Sequence, residues 1–203
     1  MSTDFDTTRQ FDDPIAWFAA WFADAEAAGI KEFNACCVAT VGANGQPSAR
    51  IVLLKEFDQE GFVFYTNLES KKGVEALEHD RAALTFYWRD LDRQIRIEGR
   101  VSRVDDARAD AYFATRERGS QVGAWASEQS RPLAGRQALI DSVEGFEAKF
   151  EGGAVPRPPH WSGLLVEPTL IEFWSNGDHR LHDRFEFSRE GAGAEWACVR
   201  LSP

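Results

Sequence analysis

The sequence is poor in sulfur, has no long apolar run and carries no surplus of positive charge, and each shortage removes a class of protein. Its three cysteines, Cys36, Cys37 and Cys198, cannot all pair within one chain, and adjacent Cys36 and Cys37 suit a strand better than a disulfide framework. A reducing cytoplasm is the expectation. No stretch approaches the roughly 18 continuous apolar residues of a membrane helix, and the opening MSTDFDTTRQFDDP has neither the basic nor the apolar segment of an export signal, so no membrane attachment is expected. Acidic residues outnumber basic ones by 33 to 23, a formal charge of -10, which argues against any general attraction to nucleic acid or an anionic membrane. An anion site has to be a local cluster. Also missing are a glycine-rich dinucleotide loop after a strand, a Walker motif, a nucleophile elbow, and any metal-ligand spacing among His79, His160, His179, His182 and the cysteines. No metal is expected.

What is present fits one domain spanning residues 1–203, since 43% hydrophobic and 12% aromatic content can fill a single large core. An N-terminal helical arm occupies residues 1–30: Pro14 after Asp13 and Gly29 bound a helix over 12–28, with Ile15, Phe18, Phe22 and Ala25 at helical spacing. Short β-rich runs follow, NACCVATV, SARIVLLKEF, FVFYTN, AALTFYW and RQIRIEGRVSRV. Turns at Asn44-Gly45 and Asp58-Gln59-Glu60-Gly61 predict antiparallel hairpins among the first three. Ser70 is placed to cap a short helix through Lys71, Lys72, Val74 and Leu77. Residues 105–150 form a helical excursion, clearest at 107–115 and 133–150, with the polar GSQVGAWASEQS between. The C-terminal part, 160–203, reads as four strands, GLLVEP, TLIEFW, RLHDRFEF and EWACVRL, the first two divided by a turn at Glu167-Pro168. The expected fold is mainly β with flanking helices, one antiparallel barrel whose two ends close together.

Five clusters carry chemistry. In RLHDR, strand alternation puts Arg180, His182 and Arg184 on one face, where they need either an anionic ligand or acidic neighbours such as Glu172 or Glu186. In ESKKG, Ser70, Lys71 and Lys72 sit at a helix N-terminus, which favours a phosphate; two solvated lysines is the other reading. In SARIVLLK, Arg50 and Lys55 bracket the apolar run Ile51 to Leu54, suited to a strand buried on both faces; a regular strand aims the two cations at opposite sides, toward two different anions or toward water. In RQIRIEG, Gln94, Arg96 and Glu98 share a face, as a ring-edge contact or a plain solvated surface. In YFATRERGS, Tyr112 and Arg116 are four apart on one helical face with Ser120 beyond, as a phosphate cradle or a capped helix end.

Taken in order, RIVLLK, FVFYTNLESKKG, RQIRIEG, YFATRERGSQVGAWASEQS, VPRPPHWSG, IEFW, RLHDR and RLSP closely resemble the pyridoxamine 5'-phosphate oxidase family, over roughly residues 34–203. RLHDR and GSQVGAWASEQS are the most specific of these. The resemblance implies an FMN-binding split β-barrel, dimeric, with FMN at the subunit interface. It implies FMN contacts from Arg50, Ile51, Val52, Leu53, Tyr65, Thr66, Lys71 and Lys72, completed by Gln94, Gln129, Ser130, Trp174 and Arg184, some of them across the interface. Lys55, Tyr112, Arg116 and Ser120 match the grip on the substrate phosphate, and Arg180 and His182 the pair that holds the pyridine ring and serves catalysis.

The implied reaction is hydride transfer from C4' of pyridoxamine or pyridoxine 5'-phosphate to the flavin, giving pyridoxal 5'-phosphate, with O2 as the acceptor that regenerates the flavin and yields hydrogen peroxide. The sequence departs from the family pattern in three places: Arg9 without a tyrosine in the N-terminal arm, Lys71 where arginine is usual, and Ser175-Asn176 after IEFW. Another split-barrel flavin reductase, or a non-catalytic protein binding pyridoxal phosphate or flavin, are the alternative readings.

Overall fold

A computed structural model describes residues 13–203; Arg9 lies outside the described residues. The first helix, α1 (Pro14–Ala27), begins as its sequence dictates: Asp13 accepts a 2.8 Å hydrogen bond from the Ile15 N–H, and Pro14 takes a position where no N–H is needed. Its buried face is wider than the expected stripe, because Trp17 and Trp21 join Ile15, Phe18 and Ala25. Trp17 stacks on Phe173 at 4.3 Å, and fully buried Phe18 meets Phe57, Phe62 and Phe86 edge-on. These aromatic contacts fix α1 against the sheet.

The strands are β1 (Ala35–Val41), β2 (Pro47–Leu53), β3 (Glu56–Phe57), β4 (Phe62–Asn67), β5 (Arg81–Trp88), β6 (Arg93–Arg103), β7 (Trp161–Ser175), β8 (Asp183–Ser188) and β9 (Ala197–Arg200). All pairings are antiparallel, in the order β2-β1-β5-β6-β7-β4-β3, with β8 and β9 continuing from β7. The sheet curls until β2 touches β4. Both predicted hairpins form, β1–β2 around Asn44-Gly45 and β3–β4 around the 58–61 turn. Helix α2 (Lys71–His79) sits between β4 and β5, its Ser70 cap accepting the Gly73 N–H. Helices α3 (Asp106–Ala114), α4 (Arg118–Ala126) and α5 (Arg136–Lys149) separate β6 from β7.

Five expectations need correction. SARIVLLKEF is two strands, because the chain leaves β2 at Leu54, whose N–H bonds to Asn34 O at 2.8 Å, while the Lys55 N–H bonds to Val63 O at 2.9 Å. Nor is that run buried on both faces, since Ile51 is 67% exposed. The polar stretch 119–130 contains most of α4. GLLVEP and TLIEFW are one 15-residue strand, β7, whose first part pairs with β4 and whose last part pairs with β8. Pro168, opposite Gly99, borders a bulge in which Thr169 is the extra residue before Leu170 pairs with Glu98, a place where a sheet tolerates proline. Gly99 is required there: a Cβ would lie 2.1 Å from the Glu167 carbonyl oxygen. Finally, RLHDRFEF is strand only from Asp183. Arg180 lies in a short 3-10 turn, Asp178–Arg180, at φ 65°. Strand alternation therefore does not govern Arg180.

Candidate active site

A cavity of about 500 Å³ lies between β2, β4 and the α3–α4 connection. Its wall gathers Lys55, Tyr112, Arg116 and Ser120, the whole set expected at a substrate phosphate. Ile51, Val52 and Leu53 line it from β2, and Tyr65 and Thr66 from β4, with Lys72 and Gln129 at another side. Tyr112 belongs to the last turn of α3, Arg116 to the link after it, and Ser120 to the first turn of α4. The three converge because the chain turns at Thr115–Glu117, not because they share one helical face. The parity expected of Arg50 and Lys55 fails at the Leu54 break, yet the two do end in different surroundings.

Among the described residues, the cavity wall carries no carboxylate. Arg116 lies 4.7 Å over the Trp161 ring, and its Nη1 is buried without a hydrogen-bond partner among the described residues. Burial draws its pKa down, as for a cation short of counter-charge. A buried unmatched donor costs about 1–3 kcal/mol, which an anionic acceptor would offset.

A second cationic group lies at the start of α2. Lys72 donates to Gln129 Oε1 at 2.7 Å, and its amine is held below the ordinary lysine value by burial and then by the charge of Arg50. Arg50 is fixed from three sides, donating to Thr40 Oγ1 at 2.6 Å and Ser48 Oγ at 2.5 Å, with Glu75 at 3.5 Å. Burial pushes the Glu75 carboxyl up, but hydrogen bonds from Ser48 and Thr40, with Lys71 and Arg50 nearby, outweigh it and leave its pKa lowered. Lys71 is 61% exposed, 3.8 Å from Glu75 and off the cavity wall. Arg50, Lys72 and the free N–H groups of α2 suit a phosphate group. By contrast, burial and adjacent Cys37 push the Cys36 thiol up to about 12, so it is no nucleophile.

The remaining expected residues form a separate group. Gln94, Trp174 and Arg184 face one another across β6, β7 and β8, as Gln94↔Trp174 and Trp174↔Arg184. His182 packs its ring 4.6 Å from Trp174, and its Nδ1 accepts the Gly177 N–H at 3.2 Å. Arg180 is exposed, and Ser130 is an exposed residue at φ 72° beside Gln129. None of these lines the cavity within one chain. Arg184 pairs with Glu172, the acidic neighbour foreseen for it, and its pKa is held up chiefly by that hydrogen bond.

Several contributors escaped the sequence reading. Glu75, Glu56, Trp161, Asn67 and Thr40 were not singled out, and Glu172 only as a generic partner. Glu75 was discoverable, four residues after Lys71 on a short helix; the others act through contacts between distant segments.

Comparison with known proteins gives a consistent picture. A family model described as pyridoxamine 5'-phosphate oxidase matches residues 22–150, and one described as the pyridoxine 5'-phosphate oxidase C-terminal dimerisation region matches residues 161–203. A pyridoxine/pyridoxamine 5'-phosphate oxidase of Allorhizobium ampelinum is 50% identical over 206 residues, covering 100% of both chains. One from Myxococcus xanthus is 58% identical over 191 residues, covering 94% of this chain and 92% of the other. Among solved structures, PhzG from Burkholderia lata, in complex with tetrahydrophenazine-1-carboxylic acid, superposes with a TM-score of 0.90 at 32% identity, covering 97% of this chain and 95% of that one. A pyridoxamine 5'-phosphate oxidase-related, FMN binding protein from Nostoc punctiforme, 16% identical with a TM-score of 0.73 and covering 94% and 98% of the two chains, shares the fold.

Proposed function

Because the chain belongs to the pyridoxamine 5'-phosphate oxidase family, we propose that the cavity is one half of an active site completed by a second copy of the chain. The protein is an FMN-dependent oxidoreductase that oxidises pyridoxamine and pyridoxine 5'-phosphate to pyridoxal 5'-phosphate, and it carries the family's dimerisation region. The observation that carries the site assignment is the buried, unpartnered Arg116 Nη1 on a wall shared with Lys55, Ser120 and Tyr112. These four would hold the substrate phosphate, Arg116 and Lys55 by charge and the two hydroxyls by hydrogen bonding.

The residues at the start of α2 fit FMN, since a lysine depressed by burial beside Arg50 and a capped helix N-terminus together call for a phosphate. Arg50 and Lys72 would hold that phosphate, with Lys71 adding long-range charge, and Ile51, Val52, Leu53, Tyr65, Thr66, Gln129 and Ser130 would form the rest of its seat. When bound, FMN supplies the acceptor for the hydride lost from C4' of the B6 ring. Gln94, Trp174 and Arg184 would reach the cofactor from the partner's side of a two-fold interface, where exposed Ile51, Arg180 and Leu181 become buried. Arg180 would align the pyridine ring. His182 accepts the Gly177 N–H at Nδ1, which leaves Nε2 as the ring N–H available to donate toward a substrate oxygen or nitrogen.

Dioxygen as the final acceptor and a cytoplasmic setting complete the reading; three free thiols suit a reducing compartment. The test is spectroscopic. FMN-loaded protein should bleach anaerobically on adding pyridoxamine 5'-phosphate and release hydrogen peroxide when air is admitted. A flavin band that persists with substrate present would overturn the reading.

A further inference from the structure

Behind the cavity wall, Tyr65 commits its hydroxyl to Glu56, donating a 2.6 Å hydrogen bond to Oε1. The other carboxylate oxygen of Glu56 accepts Arg108 Nε at 2.8 Å, and the same guanidinium approaches Asp58 at 3.5 Å and Glu60 at 3.7 Å. Glu56 belongs to β3 and Arg108 to α3, so this contact ties the hairpin to the helix that carries Tyr112 one turn later. Burial, then the bond to Glu56, raises the Tyr65 pKa and keeps the phenol protonated.

The ring of Tyr65 is held as firmly as its hydroxyl. Tyr112 stacks on it at 3.9 Å with planes 12° apart, and Trp161 lies nearly parallel at 5.2 Å from Tyr65. Arg116 then sits over Trp161. Gly163, paired with Tyr65 across β4 and β7, leaves the room this needs, since a Cβ there would come 2.9 Å from Tyr65 Cε1. Glu56 thus anchors one end of a series of parallel groups whose other end is the cation with the unmatched donor.

We propose that Glu56, clamped by Arg108, is a positioning residue for the substrate phosphate: it sets the tilt of Tyr65 and, through the Tyr112 and Trp161 rings, the place of Arg116. The inference rests on the assignment of Arg116 and Lys55 to that phosphate. Glu56 itself is not part of the cavity wall. It adjoins Lys55 in the chain, so one short segment supplies both a phosphate cation and the acid that aligns the opposite wall.

The experiment compares FMN-loaded wild type with Glu56→Ala, Glu56→Gln, Tyr65→Phe and the double variant Tyr65→Phe/Glu56→Ala. Steady-state kinetics with pyridoxine 5'-phosphate are set beside FMN affinity from fluorescence quenching and the thermal midpoint. Glu56→Ala should raise KM about tenfold while kcat falls by less and FMN affinity moves less than about twofold. Glu56→Gln, still able to accept from Tyr65, should recover most of the loss. The double variant should be no worse than its worse parent, because both changes break one contact.

A KM unmoved by Glu56→Ala, additive effects in the double variant, or KM, FMN affinity and midpoint worsening in step would each overturn the proposal. Should Glu56→Ala fail to fold, Glu56→Gln and Arg108→Gln make the same comparison. Failure of the underlying assignment has its own signature, a wild-type KM in both Arg116→Ala and Lys55→Ala.

Discussion

Arg184 donates through Nε a 2.8 Å hydrogen bond to Glu172, a carboxylate only 2% exposed whose other oxygen receives Arg96 Nη1, also at 2.8 Å. Glu172 is thus a fixed mount on β7 that aims an arginine of β8. Replacing it by alanine leaves two guanidinium groups short of an acceptor. We predict that Glu172→Ala lowers stability by about 1–3 kcal/mol, read by urea unfolding, and weakens FMN binding measured by fluorescence titration. Unchanged FMN affinity in a destabilised variant would show that Arg184 does not reach the flavin.

The two-chain character of the site can be tested by mixing subunits. Arg116→Ala and Arg180→Ala should each be nearly inactive alone when substrate is held near the wild-type KM. Refolded together from an equal mixture, half the dimers are hybrids, each with one undamaged site if Arg116 and Arg180 of a site come from different chains. The mixture should then regain roughly one quarter of wild-type activity. No recovery would place both residues in the same chain's site.

Loss of the phosphate cations should be felt in recognition first. Arg116→Ala is expected to lower kcat/KM for pyridoxine 5'-phosphate by about a hundredfold, mostly through KM, and Lys55→Ala by about tenfold. Unphosphorylated pyridoxine should discriminate poorly between wild type and either variant.

Glu75 gives the acid limb of stability a definite sign. Its folded pKa lies below the usual carboxylate value, so its contribution is fully present above about pH 4.5 and is lost as pH falls through the folded pKa. Glu75→Gln should flatten the stability profile below about pH 4.5 and leave its alkaline side unaltered, as seen by thermal unfolding across pH. An unchanged acid limb would mean that other carboxylates govern it.

A backbone constraint supplies the last prediction. Gly99→Ala forces a Cβ against the Glu167 carbonyl, a contact with main chain that no rotamer change relieves. It should cost about 1–3 kcal/mol, measurable as a lowered urea midpoint with an unchanged slope.

Local chemistry made much of this molecule legible in advance. Asp13-Pro14, Ser70, Asn44-Gly45 and the 58–61 turn each specify their conformation within a few residues, and each formed as expected. Where a local signal had two physical meanings, the reading failed. Pro168 reads as a turn but borders a bulge at Thr169 inside one strand, and RLHDR alternates like a strand although Arg180 sits at a positive φ. Helix α4 was hidden because its glycines and polar residues leave little apolar periodicity, and Val122 and Ala126 supply its buried contacts. In the site, the cations were visible from their own motifs. Their counter-charges were not: Glu56 meets Arg108 across 52 positions and Glu172 meets Arg96 across 76, distances over which sequence pattern carries no information.

Strand β7 answers to two neighbours along a single edge, β4 near Trp161 and β8 near Trp174. Adding or deleting one residue in its first half would invert which side chains face Tyr65, while the Trp174 row stayed in step with β8. The irregularity at Pro168 is therefore the natural joint of the molecule: length can change there without mirroring either half, and the spacing between the aromatic wall and the Gln94–Arg184 row could be retuned at that point alone.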